Sequence, residues 1–251
     1  FGGFESKPEK GQISFSNPGY EISHILKDGA PFIKPEMEGA GSKSEPGQPD
    51  LPTMSTYYAV EPGKIFTINA SIKESEVIEN VEVVPFETWN SQPTGVIEKG
   101  VTYQQSSSFP ANIATVSDPM VFRDIVMVQV SVTPFQYNPA LKTLTVIQEI
   151  DLELVESGAT EVPYIPQQKS REFEILYESL VVNYPSTIRE GEEVYQRPSI
   201  LYVLPNNIGN LLSTVEELMN WKKRVGFDVQ YVSTSSIVNN RNNLKNYIEA
   251  V

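Results

Sequence analysis

The chain has 251 residues, 39% of them hydrophobic and 10% aromatic, a composition typical of a folded protein rather than a disordered one. The 19 basic and 32 acidic side chains give a formal net charge of −13 without a basic stripe, which argues against a nucleic-acid partner. Cysteine is absent, which excludes a disulfide framework and a thiol nucleophile within this chain. No apolar run reaches the roughly 18 residues needed to span a bilayer.

Turn-forming residues dominate residues 1–50 and separate short apolar pieces such as Ile22 to Leu26. The turn formers are Asn17-Pro18-Gly19, Asp28-Gly29 and Gly39-Ala40-Gly41-Ser42. This pattern predicts an irregular N-terminal region with one or two strands. His24, the single histidine of the chain, is predicted to be a surface or turn residue rather than a ligand or a base.

From Leu51 to about Val155 the apolar side chains recur with a period of two residues, which is typical of β-strands. One run extends from Val126 to Val132 and another from Leu144 to Leu154, with Asn138-Pro139 supplying a turn between them. Because several such strands are separated by Pro and Gly, the sequence predicts an antiparallel β-sandwich, which we assign to residues 1–158.

The pattern changes over residues 159–198. Apolar side chains at helical spacing from Phe173 to Val181 predict a helix that ends before Pro185. The polar and charged run from Ser186 to Gln196 is predicted to be an exposed inter-domain linker.

Residues 199–251 are predicted to begin an α/β domain with a parallel sheet. A short apolar strand near 200–204 is followed by a helix that stops at Gly226, a strand from Phe227 to Val232, and a helix that runs to Val251. Two strands and two helices cannot close a doubly wound sheet, so we expect this chain to be the front part of a longer protein. For the same reason Leu201, Val203 and Val229 are expected to be exposed unless another segment covers them.

Two regions of the chain resemble precursors of the gingipain-type cysteine peptidases, and they follow one another in precursor order. The N-terminal region resembles the propeptide and comprises Gly47-Gln48-Pro49-Asp50-Leu51-Pro52, Phe122-Arg123-Asp124-Ile125 and Val132-Thr133-Pro134-Phe135-Gln136-Tyr137-Asn138-Pro139. The C-terminal region resembles the opening of the catalytic domain and comprises Ile200-Leu201-Tyr202-Val203-Leu204-Pro205, Trp221-Lys222-Lys223-Arg224-Val225-Gly226-Phe227-Asp228-Val229 and Leu244-Lys245-Asn246-Tyr247-Ile248.

The resemblance implies a sandwich prodomain that assists folding and keeps the enzyme latent, followed by a cleavable linker and the first β/α units of a caspase-like domain. It implies a cysteine endopeptidase secreted or held at the cell surface, with a signal peptide already removed. The partners it implies are the chain's own downstream catalytic domain and protein or peptide substrates. That family uses a Cys and a His placed well downstream, so no catalytic residue is assigned here and this chain alone should be inactive. No metal and no cofactor are assigned.

Arg123 is the candidate inhibitory residue. It stands between the turn-like Ser117-Asp118-Pro119 and a strongly alternating strand. The resemblance implies a propeptide that blocks the active-site cleft, and in an Arg-specific enzyme Arg123 could occupy the specificity pocket. The alternative is an arginine on an edge strand that makes a salt bridge with Asp124 or another neighbour.

Four basic residues are candidates for the site where a zymogen would be cut, because cleavage needs an exposed and extendable chain. They are Arg189, Arg171, Lys169 and Arg197. Pro198 follows Arg197, which most endopeptidases disfavour, so the other three are preferred. Solvated linker charge is the alternative interpretation.

A second function from another class is a non-enzymatic binding or adhesion module. In that case the sandwich would present loops to carbohydrate or protein. The aromatic residues Tyr57, Tyr58, Trp89 and Tyr103 would form a stacking platform, although core or sheet-face positions explain them equally well.

Overall fold

The computed structural model describes residues 2–27, 29–87, 98–161, 170–184, 198–205, 209, 211–234 and 240–250. The chain divides into two compact units. The first contains residues 1–167 and 176–190, and the second contains residues 168–175 and 191–251.

The first unit is built from antiparallel β-ladders, as the alternating pattern predicted. Its strands are β1 (Phe4–Ser6), β2 (Gln12–Ser16), β3 (Glu21–Lys27), β4 (Ala30–Glu36), β5 (Gly41–Ser42), β6 (Pro52–Ala59), β7 (Lys64–Ile78), β8 (Ala114–Val116), β9 (Met120–Phe122), β10 (Ile125–Val132), β11 (Phe135–Asn138) and β12 (Thr143–Ala159). A short 3₁₀ helix covers Val101–Gln104.

Strand β12 is the centre of one sheet. Strands β2 and β11 lie along one of its edges and β7 lies along the other, while β1 extends the sheet beyond β2. In this arrangement Ile150 pairs with Phe15 on one side and with Ile72 on the other. The long β7–β12 ladder contains register shifts near Glu149 and Glu156, where the pairing is irregular.

Strand β10 is the centre of the second sheet. Strand β6 pairs with one edge of β10, with β5 beyond it, and β8 and β9 share the other edge. Val128, Val130 and Val132 are fully buried, and so are Leu144, Ile150 and Leu152 of the other sheet. The two alternating runs of the sequence therefore supply the two inner faces of the core, where burying each such side chain contributes roughly 1.5–3 kcal/mol.

The N-terminal 50 residues contain more regular structure than the sequence predicted. Five short strands occupy the described part of this region instead of one or two, and β3 and β4 form a hairpin of their own. Besides the nearby β1, strand β2 pairs with β12, more than 130 residues away, and the local sequence carried little sign of that pairing. The backbone of Ile33 joins the hairpin to the rest of the unit by accepting from Val84 N–H and donating to the Glu82 carbonyl.

The remaining elements are α1 (Arg171–Leu180), β13 (Ser199–Leu204), α2 (Leu211–Arg224), β14 (Asp228–Ser233) and α3 (Arg241–Ala250). Strands β13 and β14 pair in parallel, as predicted, and Gly226 ends the α2 region with a φ of +103°. Val203 is 36% exposed, whereas Val229 is only 5% exposed and meets the condition that another segment covers it. Helix α2 packs on β14 and explains the difference.

Among the helices of the described ranges, none combines the length and the apolar character needed to cross a lipid bilayer.

Candidate functional site

The predicted site residue Arg123 lies at the tip of the β9–β10 hairpin. Phe122 and Ile125 pair directly across the hairpin, so Arg123 and Asp124 form a tight two-residue turn. Arg123 has a φ of +57°, a left-handed conformation that is uncommon for a residue with a side chain but is required at the first position of such turns. This pairing and this φ place Arg123 in a turn rather than in an edge strand. Its side chain is exposed.

The second turn residue, Asp124, is held by a side chain from α1. The hydroxyl of Tyr177 donates a hydrogen bond to Oδ1 of Asp124 at 2.5 Å. The ring of Tyr177 also meets the ring of Phe122 edge-on, at 5.8 Å between centroids and 82° between planes. One fully buried tyrosine thus contacts the residues on both sides of Arg123.

The protonation of Tyr177 suits its role as a donor. Burial is the main cause that raises the pKa of the phenol well above its usual value, and the hydrogen bond and charge of Asp124 raise it further. The positive charge of Arg123 opposes this shift only in part. The hydroxyl therefore keeps its proton at neutral and moderately alkaline pH.

We call residues 176–184 the anchor segment. It comprises the end of α1 and the residues that follow, which run along the edge of β6. Val181 forms a bridge with Tyr57, and Val182 N–H donates to the Tyr57 carbonyl at 2.8 Å. Tyr184 packs against Tyr177 with ring centroids 5.3 Å apart. Because Val181 and Tyr184 are almost wholly buried, the chain is firmly attached to the sandwich up to the residue before Pro185.

The other sequence-predicted residues are not brought together with Arg123. Arg171 is the first residue of α1. Lys169, Arg189 and Arg197 lie outside the described residues. His24 is exposed on β3, where it pairs across the hairpin with Ile33.

Two of the four aromatic residues proposed as a stacking platform have other partners in the structure. Tyr58 is 5% exposed and its hydroxyl accepts a hydrogen bond from Gly11 N–H at 2.8 Å. The hydroxyl of Tyr103 donates to the Val83 carbonyl at 2.7 Å. Trp89 lies outside the described residues. These contacts place Tyr58 in the core, direct the hydroxyl of Tyr103 to the backbone, and leave its ring partly buried against the core.

Across the described part of the chain, no group of three or more His, Asp or Glu side chains is arranged to hold a metal ion.

Sequence reasoning missed Tyr177 as a functional candidate. Its position on the apolar side of a predicted helix indicated burial but gave no sign of a partner 53 residues earlier in the chain. Nothing in the sequence indicated that Asn183 bonds to the backbone of Ala59, 124 residues earlier in the chain. The nearby Pro185 was the one local indication that the chain leaves the helix there.

Comparison with known proteins gives consistent matches. The Propeptide_C25 family model matches residues 7–200. Gingipain R2 of Porphyromonas gingivalis (strain ATCC BAA-308 / W83) is 28% identical over 197 residues, covering 73% of this chain and 25% of that protein. Gingipain R1 of the same species is 29% identical over 191 residues, covering 73% of this chain and 19% of that protein. The chain thus spans about a quarter or less of the length of these curated relatives.

Among solved structures, the chain is similar to one in the complex of Porphyromonas gingivalis RgpB pro- and mature domains. The TM-score is 0.62 at 25% sequence identity, and the match covers 74% of this chain and 98% of that chain.

Proposed function

Because the chain belongs to the Propeptide_C25 family, we propose that its β-sandwich keeps a downstream gingipain-like cysteine endopeptidase domain latent. The family match over residues 7–200 includes the sandwich, the anchor segment and the predicted linker. Residues 199–251, with their parallel β13–β14 pair, then begin the peptidase domain, as a segment beyond the propeptide would. The parent protein acts on protein or peptide substrates and is exported to the cell surface or beyond.

The observation that carries this proposal is the exposed Arg123 at the tip of a tight hairpin. An Arg-specific peptidase needs a pocket that accepts a guanidinium, and Arg123 presents one on a turn of only two residues. The guanidinium fills the specificity pocket while the surrounding sandwich covers the cleft over a broad interface.

The chain cannot supply the chemistry of such an enzyme. Thiol-dependent peptide hydrolysis needs a Cys thiolate and a general base close to it. The sequence contains no cysteine, and its single histidine, His24, lies on β3, where it pairs with Ile33. The catalytic residues therefore belong to the remainder of the precursor, and this chain alone is inactive.

Activation follows from a cut in the linker. Among the four basic candidates, Arg189 is favoured because Arg171 lies in α1, and a helical peptide bond must unfold before a peptidase can accept it as an extended chain. Lys169 is the next candidate, and Arg197 is disfavoured by the proline that follows it. A cut at Arg189 leaves the anchor segment covalently attached to the sandwich.

The test is inhibition of mature gingipain R2 by the purified 251-residue chain, followed with a short Arg-containing substrate. Arg123→Asn removes the guanidinium and keeps a residue that tolerates positive φ. Lys142→Asn is the matched control, because Lys142 is also an exposed cation at positive φ, 51°, in another turn between strands. We expect Arg123→Asn to weaken inhibition by about 30-fold or more, the effect of removing an interface hot spot, and Lys142→Asn to leave it unchanged. Equal inhibition by both variants would exclude Arg123 as the inhibitory residue.

A further inference from the structure

An exposed arginine at a loop tip is, by default, a substrate of an Arg-specific peptidase. Loop tips are the preferred sites of proteolytic nicking because they are accessible and can be extended. An inhibitor that presents Arg123 therefore needs a second property, which is resistance to cleavage of its own Arg123–Asp124 bond.

The backbone of the turn is unlike that of a bound substrate strand. Arg123 has a φ of +57°, whereas an extended strand has φ between about −60° and −160°. To become extended at this residue, the turn must open and separate Phe122 from Ile125, which face each other across the hairpin. Anything that keeps the turn closed therefore protects the bond.

Tyr177 is placed to keep the Arg123 turn closed. Its hydroxyl holds the carboxylate of Asp124 at 2.5 Å, and its ring packs on Phe122, so opening the turn would disturb both contacts. Asp124 is the residue that would have to move with the newly formed amino terminus after a cut. A hydrogen bond to a charged acceptor is stronger than one between neutral groups, which makes this contact an effective restraint.

Tyr177 is itself fixed by its surroundings. It is fully buried, packs on Tyr184, and lies in the anchor segment that is bonded to β6 through Val182. The restraint on Asp124 is thus transmitted to strand β6 of the second sheet, through bonds made by residues that precede Pro185.

We propose that Tyr177, acting through Asp124, holds the Arg123 turn closed, so that the hairpin inhibits the peptidase without being cleaved by it. Tyr177 is a positioning residue in this account, since it acts through Asp124 and Phe122. Its role in inhibition rests on the proposed function of Arg123, whereas its effect on the turn is a property of this chain alone.

The experiment compares the full chain with Tyr177→Phe, which removes the hydroxyl and keeps the ring. Tyr20→Phe is the matched control, because the Tyr20 hydroxyl donates to a carboxylate oxygen of Glu76 at 2.7 Å far from the hairpin in sequence. Limited digestion with trypsin, with fragments identified by mass spectrometry, gives the rate of cleavage at Arg123. We expect that rate to rise about tenfold in Tyr177→Phe and to stay unchanged in Tyr20→Phe. An unchanged rate in Tyr177→Phe would overturn the proposal.

A second pair of variants covers the case in which Tyr177→Phe does not fold. Asp124→Asn keeps a side-chain oxygen that can accept the Tyr177 hydrogen bond, whereas Asp124→Ala removes it. Amide hydrogen exchange at residues 122–125 is the measurement here, because these substitutions change the bond that trypsin would cut. Faster exchange in Asp124→Ala together with near-native exchange in Asp124→Asn supports the proposal, and equal exchange in the two variants contradicts it.

Inhibition of gingipain R2 separates this inference from the function on which it rests. We expect Tyr177→Phe to inhibit at first and then to lose inhibition with time as Arg123–Asp124 is cut, while the wild-type chain stays intact. If the wild-type chain fails to inhibit but Tyr177→Phe is still cut faster by trypsin, the restraint is real and the proposed function is wrong. If the wild-type chain inhibits and is nevertheless cut at Arg123 as fast as Tyr177→Phe, the restraint is wrong.

Discussion

The amide side chain of Asn183 pairs with both backbone groups of Ala59, a residue 124 positions earlier in the chain. Ala59 N–H donates to Oδ1 of Asn183 at 2.7 Å, and Nδ2 of Asn183 donates to the Ala59 carbonyl at 3.0 Å. This arrangement reproduces with a side chain the two hydrogen bonds that a further strand would make with β6. It attaches the end of the anchor segment to the sheet that carries the Arg123 hairpin.

Replacement of Asn183 by Ala is expected to destabilise the chain by about 1–3 kcal/mol. The substitution removes the partner of both Ala59 groups, and buried backbone groups without partners carry a desolvation cost of that size. Urea unfolding measures the change in the free energy of unfolding. Asn69→Ala is the control, because Asn69 is exposed and donates only a long 3.4 Å hydrogen bond to Glu153, and it should stay within about 0.5 kcal/mol of the wild type.

The ion pairs of Glu61 predict a small dependence of stability on acidic pH. The hydrogen bond from Lys10, followed by that from Lys64, lowers the pKa of Glu61 to about 2. Because the carboxyl pKa is depressed in the folded chain, the stabilisation is present above the unfolded pKa of about 4.3 and is lost as pH falls towards 2.

Glu61→Gln should therefore reduce the loss of stability between about pH 4.3 and pH 2. Above pH 5 it should have little effect on how the free energy of unfolding changes with pH. The measurement is the unfolding free energy of both proteins across this range, at low and at high salt. Because Glu61 is exposed to solvent, added salt should shrink the difference. A difference that persists unchanged at high salt would rule out these ion pairs as its cause.

Two isoleucines that pair across the β7–β12 ladder are expected to respond very differently to truncation. Ile150 is 1% exposed, whereas its partner Ile72 is 45% exposed. Ile150→Ala should cost about 2–5 kcal/mol, because it removes buried methyl groups and leaves a cavity, and Ile72→Ala should cost much less. Thermal or urea denaturation measures the loss in the free energy of unfolding for each variant. Similar losses for the two variants would show that the core does not lie between β12 and β10.

Glycine at position 3 is expected to be required for the β1–β2 pairing. Gly3 has a φ of +89°, and a Cβ added there would lie 2.2 Å from the Ser16 carbonyl oxygen. Gly39 is the matched control, since it has a φ of +75° but nothing within 4 Å of an added Cβ. Gly39→Ala should cost about 1–2 kcal/mol from the backbone conformation alone. Gly3→Ala should cost clearly more, and equal losses in the unfolding free energy would argue against the close approach of the two strands.

Much of the architecture could be predicted from the sequence because periodicity is a local property. The alternation along β10 and β12 identified the two inner faces of the core, and the helix–strand order after residue 198 identified the parallel β13–β14 pair. The resemblance to gingipain-type propeptides also singled out Arg123, which the structure then placed in a two-residue turn.

The sequence by itself thus determined that residues 51–155 are mainly β-strands, that helices and a strand pair follow, which faces of the long strands are apolar, and that Arg123 directly precedes an alternating strand. Only the tertiary structure decided which distant groups meet, namely Tyr177 with Asp124 and Asn183 with Ala59, and that β2 pairs with β12. The physical reason is that burial of an apolar face is encoded by the spacing of neighbouring residues, whereas a hydrogen-bond partner is selected by the register of elements far apart in the chain. Arg123 could therefore be singled out from the sequence, but the hairpin that presents it and the contacts that hold that hairpin closed could not.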